Sequence, residues 1–110
     1  MGIYRVFADA DGESHIEELD LNSHPELDSI RNVAEVKVQE FQSPRNMDFH
    51  PLPERRLIIH LSGEVEIGLG DGTKHVFRPG DVRLMEDLTG RGHTHRDLGP
   101  TSAVYILLKD

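Results

Sequence analysis

From Glu35 onward the chain alternates apolar and polar residues in short runs. Val36 and Val38 alternate with Glu35 and Lys37, which predicts a half-buried strand. Arg56 to Leu61 is rich in branched apolar residues, and Val65 and Ile67 then alternate with Glu64 and Glu66. Asp71-Gly72 is a tight-turn signal ahead of His75-Val76-Phe77, and Pro79-Gly80-Asp81 makes the next turn before Val82 and Leu84. Gly90 and Gly92 bend the chain again, and Ala103 to Leu108 supplies a closing apolar run. One segment reads as helix: Ser23 as N-cap, Pro25 in the first turn, Glu26 completing a capping box, and Leu27 and Ile30 on one face, ending near Asn32. Short strands punctuated by Gly, Pro and Asp predict an all-β sandwich or barrel.

Length and charge narrow the partners. The chain has 110 residues, enough for a single domain with a modest core. A net charge of −8 opposes binding to nucleic acid or to an anionic membrane surface. There is no cysteine, so disulfides, thiolate metal sites and cysteine nucleophiles are excluded, and a metal would need His and carboxylate ligands. The first residues lack a long apolar stretch and a cleavage pattern, and Val6 stands where an acylation signal needs Ser or Thr; a cytoplasmic protein is the expectation.

The candidate chemistry gathers around histidine and arginine. His93 and His95 are one residue apart, so on a strand both rings face the same way. With His50 they admit three readings: a solvated rim, a metal site, or a metal-free pocket in which imidazoles hydrogen-bond and move protons. Arg56, Ile58 and His60 share one strand face, and an inward Arg56 needs a partner, with Glu40, Glu86, Asp97 or a bound anion as candidates. Arg55 and Arg56 form a basic cluster suited to a small carboxylate or phosphate. His60 reads either as a substrate contact or as a core residue. Glu86 and Asp87 precede a glycine-rich turn, where one of them would serve as general base or ligand, Glu86 being the candidate taken.

Between His50 and His95 the sequence resembles small single-domain members of the cupin superfamily. Leu61-Ser62-Gly63-Glu64-Val65-Glu66 matches the end of their first motif, Arg78-Pro79-Gly80-Asp81-Val82 the start of their second, and His93 their third histidine. His50 matches the first histidine of the motif, Leu52 stands at the second, and Arg56 at the glutamate. The resemblance implies a jelly-roll β-barrel over residues 33–110, with an N-terminal strand and short helix (1–32) packed outside, and a homodimer formed through the N-terminal strands. It also implies a pocket for a small, anionic metabolite, with His93, His95 and Glu86 as catalytic candidates and Arg55, Arg56 and His60 as substrate contacts. A divalent metal (Zn, Ni, Fe or Mn), if bound, would sit on His50, His93 and His95, making the chain a metal-dependent isomerase or dioxygenase. The alternative is a metabolite-binding or sensing module without metal or catalysis.

Overall fold

Ten strands account for nearly all of the regular structure in the computed structural model, which describes residues 1–110. They are β1 (Ile3–Ala8), β2 (Ser14–Glu18), β3 (Val33–Phe41), β4 (Asn46–His50), β5 (Arg56–Ser62), β6 (Val65–Gly68), β7 (Lys74–Phe77), β8 (Val82–Glu86), β9 (His93–Asp97) and β10 (Thr101–Leu108). One sheet has the order β2-β1-β8-β5-β10-β3 and the other β4-β9-β6-β7. Every pairing is antiparallel except β1 with β8. No strand pairing joins the two sheets, so the expected closed barrel is instead a two-sheet sandwich.

The period of two decides what fills the sandwich. Ile58, Met85, Tyr105 and Leu107 point inward from the larger sheet with Val6, while Val65, Ile67 and Phe77 form the inner face of the smaller one. His60 stacks on Phe77 across the gap, with ring centroids 5.6 Å apart. The Asp71-Gly72 turn forms as expected: Gly72 has φ +91°, a conformation that costs glycine little.

Three expectations fail for identifiable reasons. The N-terminal helix does not form. Asp20, not Ser23, provides the cap, accepting from the Asn22 N–H at 3.0 Å, and two single 3₁₀ turns follow at Leu21–Ser23 and Pro25–Leu27. His24 breaks them apart with φ −132°, and a segment this short lacks the propagation that sustains an isolated helix. Strand β1 is not packed outside the fold, because it pairs on both sides, with β2 and β8. Val36 and Val38 are 59% and 70% exposed, since they lie beside Ile106 and Val104 on the outer face of the sheet, and Lys37 stands opposite inward-facing Tyr105.

Candidate functional site

The site is assembled where β4 and β9 meet. Gly92 takes φ +78°, and a Cβ there would run into the carbonyl of His50, so only glycine lets the chain enter β9 at this spacing. His93 consequently lies opposite His50 in the β4–β9 register. His93 and His95 both point inward and are buried. With His50, Arg45, Arg56 and Arg83 they line a cavity of about 80 Å³, closed by Leu52, Ile58 and Tyr105.

Hydrogen bonds fix the ring tautomers. His93 Nδ1 lies 2.5 Å from Asp87 Oδ2, and because a carboxylate only accepts, Nδ1 carries the proton and Nε2 presents a lone pair. Ser14 Oγ donates to the same oxygen at 2.8 Å, which holds the fully buried Asp87 in place. His50 Nδ1 donates to the Asp48 carbonyl at 2.8 Å, again leaving Nε2 bare, and its ring centroid is 4.8 Å from that of His93. His95 Nε2 donates to Asp97 Oδ1 at 2.7 Å. Burial, followed by the nearby Arg83 charge, pushes the His95 pKa down to about 4, so this ring is neutral near pH 7. Burial acts to raise the pKa of Asp97, but bonds from the Arg45 side chain (2.8 Å) and backbone N–H (2.9 Å) hold it below the usual carboxylate value.

Arg83 differs from every other arginine in the molecule. It is 2% exposed, and no carboxylate lies within ion-pair distance of it. Its Nε donates to His60 Nε2 at 3.0 Å and its Nη1 approaches Met85 Sδ at 3.6 Å, both neutral groups. Burial lowers its pKa to about 10, which leaves the guanidinium charged at neutral pH. Burial and then Arg83 drive the His60 pKa down to about 3. Arg56 lines the same cavity, its Nη2 3.6 Å from Glu54, so none of the three carboxylates expected for it from sequence is its partner.

Three expected site residues, Glu86, Arg55 and His60, are elsewhere. On β8 the side chains of Arg83 and Met85 face inward and those of Leu84 and Glu86 outward, so Asp87, not Glu86, reaches the histidines. Glu86 accepts from Arg5 at 2.5 Å and from Arg55 at 2.7 Å on the far side of the sheet, where Arg55 also binds Asp110 at 2.8 Å. A larger cavity of about 500 Å³ lies there, but both of its arginines are already neutralised. His60 sits behind Arg83, accepting from its guanidinium, and does not line the histidine cavity. Arg83, Arg45 and Asp97 were not singled out as pocket-forming residues from sequence. Arg83, Met85 and Asp87 share the inward parity, which the apolar alternation of Val82 and Leu84 conceals in the sequence.

The histidines do not fit a divalent cation. The ligand atoms of His50, His93 and His95 do not all fall within 4.8 Å of one another, and His95 Nε2 is engaged by Asp97. Three guanidinium groups line the same cavity, which raises the potential against a cation. The one group with metal-like spacing is Asp9, Asp11 and His15 on the β1–β2 turn, where both aspartates are exposed.

No protein-family model matches the chain, and no curated protein does. Solved structures do. A cupin superfamily protein from Desulfitobacterium hafniense aligns at 20% identity over 74% of this chain and 72% of its own, with a TM-score of 0.55. A DUF861 family protein from Thermotoga maritima aligns at 23% identity over 86% of this chain and 98% of its own, with a TM-score of 0.53. A conserved protein of unknown function from Streptococcus pyogenes aligns at 19% identity over 68% of this chain and 63% of its own, also at 0.53. At these identities the likeness shows the fold, which is the small cupin-like single domain that the motifs between His50 and His95 suggested. No helix is long and apolar enough to cross a membrane.

Proposed function

We propose that this cupin-fold chain binds a small organic anion between Arg83, Arg56 and the histidines, and that His93 moves a proton on it without a metal. The observation that carries this reading is Arg83: a buried cation whose only hydrogen-bond partners are a neutral imidazole and a thioether. An unpaired charge inside a protein costs several kcal/mol, and an incoming carboxylate or phosphate relieves that cost. A cavity of about 80 Å³ is well below the few hundred Å³ or more of a drug-sized site, which favours a ligand of a few heavy atoms.

His93 supplies the base. Asp87 orients the ring and stabilises the imidazolium that forms when Nε2 takes a proton. For a hydroxy or keto acid the step breaks a C–H bond beside the carbonyl and forms N–H on His93. The electron pair moves onto the oxygen facing the guanidinium groups, where positive charge steadies it. Return of a proton from Nε2 to the same carbon regenerates the carbonyl and completes an exchange that needs no oxidant.

Calorimetric titration with pyruvate, lactate, glyoxylate and phosphate, alongside NMR detection of deuterium uptake from D₂O, tests both halves. Saturable binding of at least one organic acid is expected, with exchange at the carbon beside the carbonyl of pyruvate or lactate. In His93→Gln, binding should stay within about threefold while exchange falls about 10²-fold or more. No binding of any small anion overturns the proposal. Binding without exchange leaves a metabolite-binding module, the reading favoured by Arg56 standing at the motif glutamate.

A further inference from the structure

We infer that the outer face of the larger sheet binds an uncharged aliphatic amphiphile, its chain beneath the N-terminal segment and its one polar oxygen beside Arg5 and Arg55. The inference is independent of the histidine cavity, which lies on the other side of β5. Outward positions on β1, β8 and β5 line up in rows across the sheet. Ile3, Val82 and Ile59 form an apolar row, and Arg5, Leu84 and Leu57 form the next. Glu86 follows on β8, held between Arg5 and Arg55. Along β8 the floor thus grades from aliphatic to ionic.

The N-terminal segment crosses this floor as a strap tied at its two ends. The Leu19 N–H donates to the Ile3 carbonyl at 2.7 Å, and Asn32 exchanges two bonds with Lys109, at 2.6 and 2.5 Å. Between these ties, every hydrogen bond made by residues 20–31 stays within the segment. The strap meets the sheet through Leu21, Leu27 and Ile30, which cover a slot of about 210 Å³ above Ile3, Leu57, Ile59 and Val82. No polar side chain lines the slot, so water finds little to bond there and an aliphatic occupant is favoured. Lifting the strap to admit one breaks no hydrogen bond to the sheet. Space between a strap and a sheet suits a chain, not a protein surface.

Leu27 and Ile30 also wall the adjoining cavity of about 500 Å³, where the polar end belongs. Arg5 and Arg55 each bond through Nε and Nη1, which leaves Nη2 of both with donors to spare. Their charge is already matched: Glu86, Glu17 and Asp110 pair with them, and Glu26 lines the same cavity. A carbonyl or hydroxyl oxygen can accept here, whereas a carboxylate would meet other carboxylates. Charge complementarity therefore selects a neutral head.

Titration of the full chain with octanamide, octanoate and acetamide, followed by calorimetry and methyl NMR, tests the inference. Octanamide should bind saturably and shift the methyl signals of Leu27, Ile30, Ile59 and Val82 while leaving the His93 ring signals in place. Acetamide should shift none of them, and octanoate should bind at least about tenfold more weakly. Val82→Phe fills the slot from the strand side, and Ile30→Gln makes its cover polar. Each should weaken octanamide about tenfold, with thermal melts confirming an intact fold. Octanamide that fails to bind, that shifts the His93 ring instead, or that binds both variants as tightly as wild type overturns the inference. So does octanoate that matches octanamide. Methyl shifts that grow with protein concentration, without octanamide uptake, assign the face to a second copy and overturn it equally.

Discussion

Arg55 and Arg56 are adjacent in sequence and face opposite sides of one sheet, in opposite electrostatic circumstances. Outside, Arg55 shares Glu86 with Arg5 and holds Asp110 as well, so each cation meets a carboxylate. Inside, Arg56 reaches only Glu54 at 3.6 Å, and Arg83 behind it reaches none. Both arginines of the larger cavity are therefore paired, while in the smaller one Arg83 has no carboxylate within ion-pair distance. Size alone would favour the outer side of the sheet, charge pairing the inner one.

The inner side should reveal itself first through acid. His60 and His95 are kept neutral by burial, with pKa values down to about 3 and about 4, against 6.5 in the unfolded chain. Below pH 6.5 the unfolded state binds protons that the folded state refuses, so stability is full above that value and falls towards pH 4. Each ring removes about 1.4 kcal/mol per pH unit in that window, or roughly 4 kcal/mol for the pair by pH 5. Urea midpoints at pH 7.5, 6.5 and 5.5 measure the slope. A flat profile would show that these rings titrate normally and that the interior is open to water.

Arg83→Met comes next. The substitution keeps an unbranched, flexible apolar stem and removes a buried charge that no carboxylate balances. Affinity for the organic acid should fall about 100-fold, the scale of a charge-assisted hydrogen bond in a dry site. The melting temperature of the ligand-free protein should hold or rise, because apolar replacement of a buried ion is often neutral or stabilising. Marked destabilisation without loss of binding would make Arg83 a structural residue and move the site elsewhere.

Much of this arrangement was readable beforehand. The glycine and proline turns set the strand boundaries, and the one-residue spacing of His93 and His95 put both on the inner face. What spacing could not provide was distance. Two rings on one strand and a third on its neighbour share a cavity without bringing their nitrogens within ligating range. Glu86 and Asp87 are not distinguishable in the sequence: Val82 and Leu84 alternate as an inward face would, yet Arg83 and Met85 are the residues that point inward, and Asp87 follows them. Arg83 escaped notice because charged residues in strands ordinarily face water, and here the fold turns one inward. The helix at Ser23 failed on energetics: its capping residues were present, but tertiary contacts were too few to extend single turns at Leu21 and Pro25.

The smallest effect is the sharpest control. Arg55 stands on the compensated side, 30% exposed, bonded to Glu86 and Asp110. Arg55→Met should cost about 1 kcal/mol or less, since Glu86 keeps Arg5 and partly exposed pairs are screened by solvent. Organic acid binding should remain within about twofold of wild type, because the guanidinium lies on the opposite side of β5 from the histidines. Thermal melts and the same calorimetric titration read both quantities. If Arg55→Met weakened binding as much as Arg83→Met, the larger outer cavity would be the ligand site, and the missing carboxylate beside Arg83 would need another explanation.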